Sequence, residues 1–287
     1  MKKISNINHI KENKVRKNKS NNKMTNLLGI PYYVVLFFLT VLPFFIMILY
    51  AFSSTSEGIF QIKFTFNNFR MFFSEKSFIM TMVESLYLAA LSTIVTLLIA
   101  YPLSYIITKM KQKKQVLMIA LITSTMWINM LLRANALKQV IEMIAPNLLG
   151  TNFIIILGNV YMFLPFMVLP IYTVLSKLDP SLIEASSDLG ASNIKTMTKV
   201  VIPLSLSGVI SGCMMVFLPA ATTLIIPKYL GDGKRTMIGN LIEFNVMTGH
   251  KYGYGAAISI VIGLILLVFI YLLKKVDKYG EVIEDEK

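Results

Sequence analysis

The residues best suited to chemistry in this chain form one polar segment, Asp179 to Pro203, between two long apolar runs. Glu184 supplies a carboxylate acceptor, and the small side chains of Ala185 and Ser186 let another surface approach the backbone closely. This combination favours non-covalent docking, in which a rigid helix sits in a cleft of a second protein. The alternative is an amphipathic helix on a membrane surface, which needs large apolar side chains where this segment has Ala and Ser.

Two short helices are predicted within this segment. Asp179 can cap a helix that begins at Pro180, because proline has no N–H to leave unpaired. Gly190 suits the left-handed conformation that ends such a helix. Ser192 or Asn193 can cap the second helix. Helical spacing places four residues on one face of the first helix: Leu182, Ala185, Ser186 and Leu189.

Residues for covalent catalysis or metal binding are scarce. The two histidines, His9 and His250, lie far apart in polar flanks, and the single cysteine, Cys213, lies inside an apolar run. The sequence contains no G-x-x-x-x-G-K-[ST] phosphate loop, so we expect the chain to hydrolyse no nucleotide. We predict a protein that is not an enzyme and holds no cofactor or metal of its own.

Composition indicates an integral membrane protein. Of 287 residues, 55% are hydrophobic and only 15% are charged, which is more apolar surface than a soluble core can bury. A net charge of +13 would suggest nucleic acid as the partner of a soluble protein. Here the basic residues flank apolar runs, so we predict the lipid bilayer, and not nucleic acid, as the partner.

Six apolar stretches each approach the roughly 20 residues that a helix needs to cross the hydrocarbon core. We predict spans at Leu28–Phe52, Leu86–Thr108, Val116–Leu132, Phe153–Leu175, Val201–Ile226 and Gly255–Leu273. Pro203 is predicted to open the fifth. Prolines inside the spans, which free backbone carbonyls and permit kinks, are Pro43, Pro102, Pro165, Pro170 and Pro219.

The distribution of Lys and Arg predicts the orientation. The segments on the side of the termini hold nineteen of the 28 basic residues and the opposite segments hold nine, which places both termini and Glu184 in the cytoplasm. The predicted organisation is a disordered basic tail at 1–26, a six-helix domain at 27–275 that contains the polar docking segment at 179–203, and a charged tail at 276–287.

The segment that contains Glu184 resembles the EAA loop, by which permeases of ABC importers dock on their ATPase subunits. Four positions match the family pattern: Glu184, Ala185, Gly190 and Pro203. Three carry close substitutes: Ser186 for the second Ala, Val200 for Ile and Ile202 for Leu. The residues to which this resemblance assigns ATPase coupling are Glu184, Ala185, Ser186, Asp188, Gly190 and Pro203.

The resemblance extends over residues 27–275 and is greatest to permease subunits of spermidine/putrescine ABC importers. The stretches that carry it are Phe64–Phe69, Leu131–Ala136, Tyr161–Tyr172, Leu178–Leu182 and Ile238–Glu243. One departure is Thr223, where some members of the family carry an acidic residue before the Ile-Pro that ends the fifth span.

This resemblance implies an all-α integral membrane protein with the type I ABC importer permease fold, six transmembrane helices and a cytoplasmic helix-turn-helix coupling loop. It implies a multi-pass protein of the bacterial plasma membrane. The implied partners are a second homologous permease subunit, two cytoplasmic ATPase subunits and an extracytoplasmic polyamine-binding protein. ATP and Mg would be bound by the ATPase subunits and not by this chain.

A polyamine is a flexible polycation, which aromatic faces and carboxylates hold well. The candidate path residues are Glu84, Tyr87, Trp127, Asn129, Asn159 and Tyr161. For Asn129 and Asn159 the alternative is hydrogen bonding between helices, and for Trp127 it is packing at the membrane interface. For Glu84 it is a solvated charge at a helix start.

Two other functions stay open at this stage. The chain can be an ABC importer permease for another small solute, such as an amino acid, iron or phosphate. From a different class, it can be a passive channel or a membrane enzyme. An enzyme would need a cluster of His, Asp or Glu near a membrane face, and a channel would need no loop for docking an ATPase.

Overall fold

The computed structural model describes residues 31–53 and 64–276, and nearly all of this part is helical. The helices are α1 Pro31–Ala51, α2 Asn67–Ser74, α3 Lys76–Thr108, α4 Gln112–Ser124, α5 Met130–Ile144, α6 Asn152–Leu175, α7 Pro180–Asp188, α8 Asn193–Thr196, α9 Ile202–Leu204, α10 Leu206–Thr222, α11 Ile225–Leu230, α12 Ile238–Glu243 and α13 Tyr252–Val276. The predicted tail at 1–26, and the one at 276–287 beyond its first residue, lie outside the described residues.

Four helices, α1, α3, α6 and α13, are long and apolar enough to cross a membrane unbroken. Two further crossings are bent pairs: α4 with α5, bent by 96°, and the α8–α9 segment with α10, bent by 66°. Counting each bent pair as one span gives six. The predicted fold class, an all-helical integral membrane protein, is therefore confirmed, although α3 begins at Lys76, ten residues before the predicted start at Leu86.

The prediction of an unbroken third span at 116–132 is wrong. The helix stops at Ser124 and a new one starts at Met130. Ahead of the break, the hydroxyls of Thr123, Ser124 and Thr125 donate to carbonyls three or four residues back, at 2.7–2.8 Å. Such local side-chain bonds compete with the helical ladder and give the chain a way to leave it.

The fifth span also differs from its predicted range of 201–226. Pro203 lies in the three-residue helix α9 and does not open the long helix, which starts beyond a bend at Ser205. Proline has no N–H for the carbonyl four residues back, so the helical ladder is interrupted at this point. At the other end, α10 stops at Thr222, and Thr223 has extended backbone.

The central core of the protein lies between α3, α6 and α10. Its buried residues are mostly apolar and include Leu88, Met167 and Val216. Gly208 and Gly212 of α10 bring its backbone against α6: a Cβ on Gly208 would lie 2.9 Å from the carbonyl oxygen of Pro170. Helices in membranes pack closely through small residues in this way. Both ends of the coupling loop are therefore attached to one tightly packed unit, through α6 and α10.

Candidate functional site

The coupling loop, residues 179–203, begins with α7, and both ends of α7 have the predicted local chemistry. Asp179 Oδ1 accepts a hydrogen bond from the Ser181 N–H at 2.9 Å, and this bond lowers the pKa of the Asp179 carboxyl. Pro180 is the first helical residue. Gly190 follows the helix with φ +77°, a conformation that favours glycine although the space around it is open.

A hydrogen bond between side chains joins α7 to α8. Ser186 Oγ lies 2.9 Å from Oγ1 of the buried Thr196, while Ile183 packs against the central core. Ser192 caps α8 by accepting from the N–H of Lys195 at 3.4 Å. Ser186, whose small side chain was expected to let another surface approach, is half-buried and makes this bond to α8. The two helices are thus fixed to each other and to the core.

We expect Ser186→Ala to lower the free energy of unfolding by about 1 kcal/mol, because it leaves the Thr196 hydroxyl without this partner. The loss would be measured as a lower melting temperature of the purified protein. Transport should be retained, since the backbone of α7 is unchanged. Ser187→Ala is the matched control: Ser187 is exposed and bonds only within its own helix, to Ile183 O at 3.1 Å. Equal melting temperatures for the two variants would contradict this account of the α7–α8 contact.

The exposed side of α7 combines apolar and acidic groups. Leu189 is 88% exposed and Ile194, at the start of α8, is 76% exposed. Glu184, Ala185 and Asp188 of the same loop are also exposed, and neither carboxylate has a hydrogen bond or ion pair within the described residues. Exposed leucine and isoleucine on a polar loop mark a surface suited to a partner protein. The carboxylates supply acceptors for basic or N–H groups on that partner.

The loop connects to the spanning helices through a bend. A π-helical turn at Met197–Val201 and α9, which contains Pro203, lead to Ser205, where the chain turns by 66° into α10. The buried Ser205 Oγ lies 2.8 Å from the hydroxyl of Tyr101 on α3. Ser205 therefore connects the end of the coupling loop to both α10 and α3.

At the other end of α3, the carboxylate of Glu84 is already paired. Arg235, in the segment between α11 and α12, forms an ion pair with Glu84, and its Nε donates to the carbonyl of Gly150 at 3.3 Å. A cargo ammonium at this carboxylate would share it with Arg235. Tyr87, about one turn further along α3, is exposed.

Trp127 and Asn129 lie in the break between α4 and α5, not within a regular span. Trp127 is 89% exposed, the most open aromatic side chain of the described part. The Asn129 side chain accepts a hydrogen bond from the N–H of Leu131 at 2.8 Å, so it caps α5. The break thus presents an indole face beside a polar turn.

Asn159 is fully buried between α6 and α3. Its Nδ2 donates to Ser92 Oγ at 3.1 Å, and its Oδ1 has no partner among the residues that the structure describes. Asn159 therefore makes the hydrogen bond between helices that the sequence offered as the alternative to cargo contact. Tyr161, two residues later, is exposed, and its carbonyl accepts a hydrogen bond from Arg133 Nη2 at 2.9 Å.

No hydrogen bond or ion pair in the described part of the chain links any two of the six predicted path residues. Sequence reasoning missed three residues that bond to the candidates: Arg235, Arg133 and Ser92. Each lies far from its partner in sequence, so no local pattern identifies it. Within residues 31–53 and 64–276, no group of three or more His, Cys, Asp or Glu is placed to hold a metal ion.

Comparison with known proteins places this geometry in context. Residues 141–278 match the family described as binding-protein-dependent transport system inner membrane component. The spermidine/putrescine transport system permease protein PotB of Escherichia coli K12 is 34% identical over 207 residues, which cover 66% of this chain and 75% of that protein. PotB of Salmonella typhimurium LT2 is 30% identical over 271 residues, 88% of this chain and 94% of the relative.

Among solved structures, a bacterial ABC transporter involved in the import of the acidic polysaccharide alginate has a similar chain. It matches with a TM-score of 0.72 and 14% sequence identity, covering 92% of this chain and 98% of that one. At this identity the likeness concerns the fold alone and says nothing about cargo.

Proposed function

This chain belongs to the family of binding-protein-dependent transport system inner membrane components, and we propose that its cargo is a polyamine such as spermidine or putrescine. The observation that carries the proposal is the 34% identity to the spermidine/putrescine permease PotB of Escherichia coli, over a match that covers 75% of that protein. The chain is a multi-pass membrane permease subunit. The acidic polysaccharide of the solved neighbour does not compete as a cargo, because that likeness rests on fold alone.

We further propose that the coupling loop docks on a cytoplasmic ATPase. The exposed residues of the loop support this: Leu189 and Ile194 offer apolar contact, and Glu184 and Asp188 offer exposed carboxylates. Such a surface suits a cleft with apolar walls and basic or N–H groups at its rim. The partner would bind ATP and Mg, since this chain has no phosphate loop. Both termini would then lie in the cytoplasm.

The assembly we propose contains this chain, a second homologous permease, two ATPase subunits and an extracytoplasmic polyamine-binding protein. ATP-driven closure of the ATPase pair would move the coupling loop, and the bend at Ser205 would transmit that movement to α10 and α3. The cargo path would run between the two permeases. Side chains that are exposed in this single subunit are therefore the ones that could line the path.

Open side chains make Trp127 and Tyr87 the stronger candidates for cargo contact, with Asn129 beside the first of them. A polyamine ammonium over an indole or phenol face gains a cation–π interaction. Glu84 is a weaker candidate, because its carboxylate already pairs with Arg235. Asn159 fits a structural role better, because it is sealed between α3 and α6.

Uptake of labelled spermidine and putrescine tests this function directly. Cells lacking the chain should lose uptake, and the intact gene should restore it. In the reconstituted assembly, polyamine with its binding protein should stimulate ATP hydrolysis, whereas amino acids, iron and phosphate should not. Stimulation by one of those solutes instead would mean a permease for another cargo. Uptake that continues without ATP would indicate a passive channel.

A further inference from the structure

Arg133 is a buried cation at the start of α5, on the far side of the break from Trp127. Its side chain is 6% exposed. Nη2 donates to the backbone carbonyl of Tyr161 on α6 at 2.9 Å, and the guanidinium carbon lies 4.8 Å from the centroid of the Tyr161 ring. One side chain of α5 thus contacts both the backbone and the ring of a single residue of α6.

Pro165 explains why that carbonyl is available. In a regular helix the carbonyl of Tyr161 accepts from the N–H four residues later, but residue 165 is proline and has none. Four other prolines lie inside the spanning helices α1, α3, α6 and α10: Pro43, Pro102, Pro170 and Pro219. Of the carbonyls freed by these five prolines, only the one freed by Pro165 receives a side-chain donor from the described part of the chain. Arg133 therefore fills a specific gap in the α6 ladder.

The charge of Arg133 is held without an acidic partner from the described residues. It forms no ion pair there, and its Nε has no hydrogen-bond partner. Burying a guanidinium is unfavourable unless its bonds are strong, and bonds from a charged donor are stronger than neutral ones. A hydrophobic residue could fill the same space but could not bond the carbonyl. The position therefore favours a link between helices over simple packing.

This link is also the only side-chain hydrogen bond from α5 to another helix within the described part. Otherwise α5 is attached by apolar packing, through residues such as Ala134 and Ile141. The break with Trp127 and Asn129 lies directly before the first turn of α5. Whatever fixes Arg133 to α6 therefore fixes the orientation of the break.

We propose that Arg133 is a positioning residue, which ties the α4–α5 break to the Pro165 position of α6 and so holds Trp127 and Asn129 in place for the cargo. Only one part of this inference rests on the proposed function, namely that the α4–α5 break contacts the cargo. It makes the two ends of the link interdependent: Arg133 is needed because residue 165 is proline. A residue that acted through a partner protein or through its charge alone would show no such dependence.

The test is a double-mutant cycle between Arg133→Met and Pro165→Ala, because alanine restores the N–H that the Tyr161 carbonyl lacks. With Pro165 present, Arg133→Met should raise the half-saturating polyamine concentration for uptake about tenfold, with a smaller change in maximal rate. In the Pro165→Ala background, the same change should have an effect of about threefold or less. Arg133→Lys, which keeps a donor and the charge, should fall between the unmodified chain and Arg133→Met.

Lys138→Met is the matched control, since it removes another cation from α5, one that pairs only with Glu142 among the described residues. It should leave half-saturation unchanged. Equal effects of Arg133→Met in both backgrounds would overturn the proposal, as would a loss of maximal rate with half-saturation unchanged. If Pro165→Ala is itself inactive, or if polyamine is not the cargo, the same cycle is measured on the melting temperature of the purified assembly. There too, absence of coupling between the two positions would overturn it.

Discussion

Leucine in place of Gly208 should reduce the amount of folded protein in the membrane about tenfold, because it separates α10 from α6. A Cβ at this position would lie 2.9 Å from the carbonyl oxygen of Pro170 and 3.0 Å from Val174 Cγ2. The first of these is a backbone atom of α6 and cannot turn aside. Four residues later on the same face, a Cβ on Gly212 would lie 2.7 Å from Met167 Sδ. Leucine at 208 would add further carbon atoms beyond the Cβ to an approach that is already too close.

Gly263→Leu is the matched control. Gly263 lies in α13, and nothing comes within 4 Å of the position that its Cβ would take. Leucine also has a higher helix propensity than glycine, so the control should fold at least as well as the unmodified chain. Folded protein would be measured as the monodisperse fraction after extraction and by the melting temperature. Equal yields of the two variants would show that the approach of α10 to α6 is not what holds the core together.

The local features of the coupling loop were predictable because their chemistry lies within a few residues. The cap formed by Asp179 and the stop at Gly190 depend only on side-chain type and backbone conformation at adjacent positions. The bond of Ser186 to α8 was not predictable in this way. Periodicity identifies which residues share a face of α7, but it does not identify Thr196, ten residues away, as the hydrogen-bond partner of Ser186.

The break of the third span was not predictable from the usual signals. No Gly or Pro occurs in 112–144, and the apolar run is continuous enough to predict one helix. The relevant signal is the run of hydroxyl side chains from Thr123 to Thr125, which bond to their own helix. Such runs also occur in unbroken membrane helices, so they permit a break without requiring one. In the structure α5 packs against α6 and α11, and these contacts between distant segments leave no local signal in the sequence.

Interhelical polar contacts were beyond sequence reasoning altogether. Glu84 and Arg235 lie 151 positions apart, and Asn159 and Ser92 lie 67 apart. The sequence identified Glu84 and Asn159 as unusual polar residues near or in spans, which is correct. Whether each faces cargo or a neighbouring helix depends on how α3 and α6 rotate about their axes. In both cases the structure supplies a partner within the chain, which weakens the case for direct cargo contact.

Reversal of charge by Glu184→Arg should leave membrane insertion and folding intact and lower uptake and cargo-stimulated ATP hydrolysis about a hundredfold, since an unfavourable charge contact at an interface costs several kcal/mol. Glu184 is exposed and forms no hydrogen bond or ion pair within the described residues, so its charge supports nothing in that part of the chain. The α7–α8 pair would remain joined through Ser186 and Thr196. The defect should therefore lie in docking alone. ATP hydrolysis by the isolated ATPase should be unaffected.

Glu142→Arg is the matched control, because it changes the charge of the chain by the same amount as Glu184→Arg. Glu142 lies in α5 outside the coupling loop and has only an exposed i,i+4 pair with Lys138 among the described residues, which contributes little to stability. Its reversal should leave uptake near normal, so any nonspecific effect of added positive charge is measured separately. Capture of the ATPase by the purified permease should fail for Glu184→Arg and succeed for Glu142→Arg. Normal uptake by Glu184→Arg would exclude a docking role for this carboxylate, because an exposed acid in a basic-rimmed cleft cannot become arginine without loss of binding.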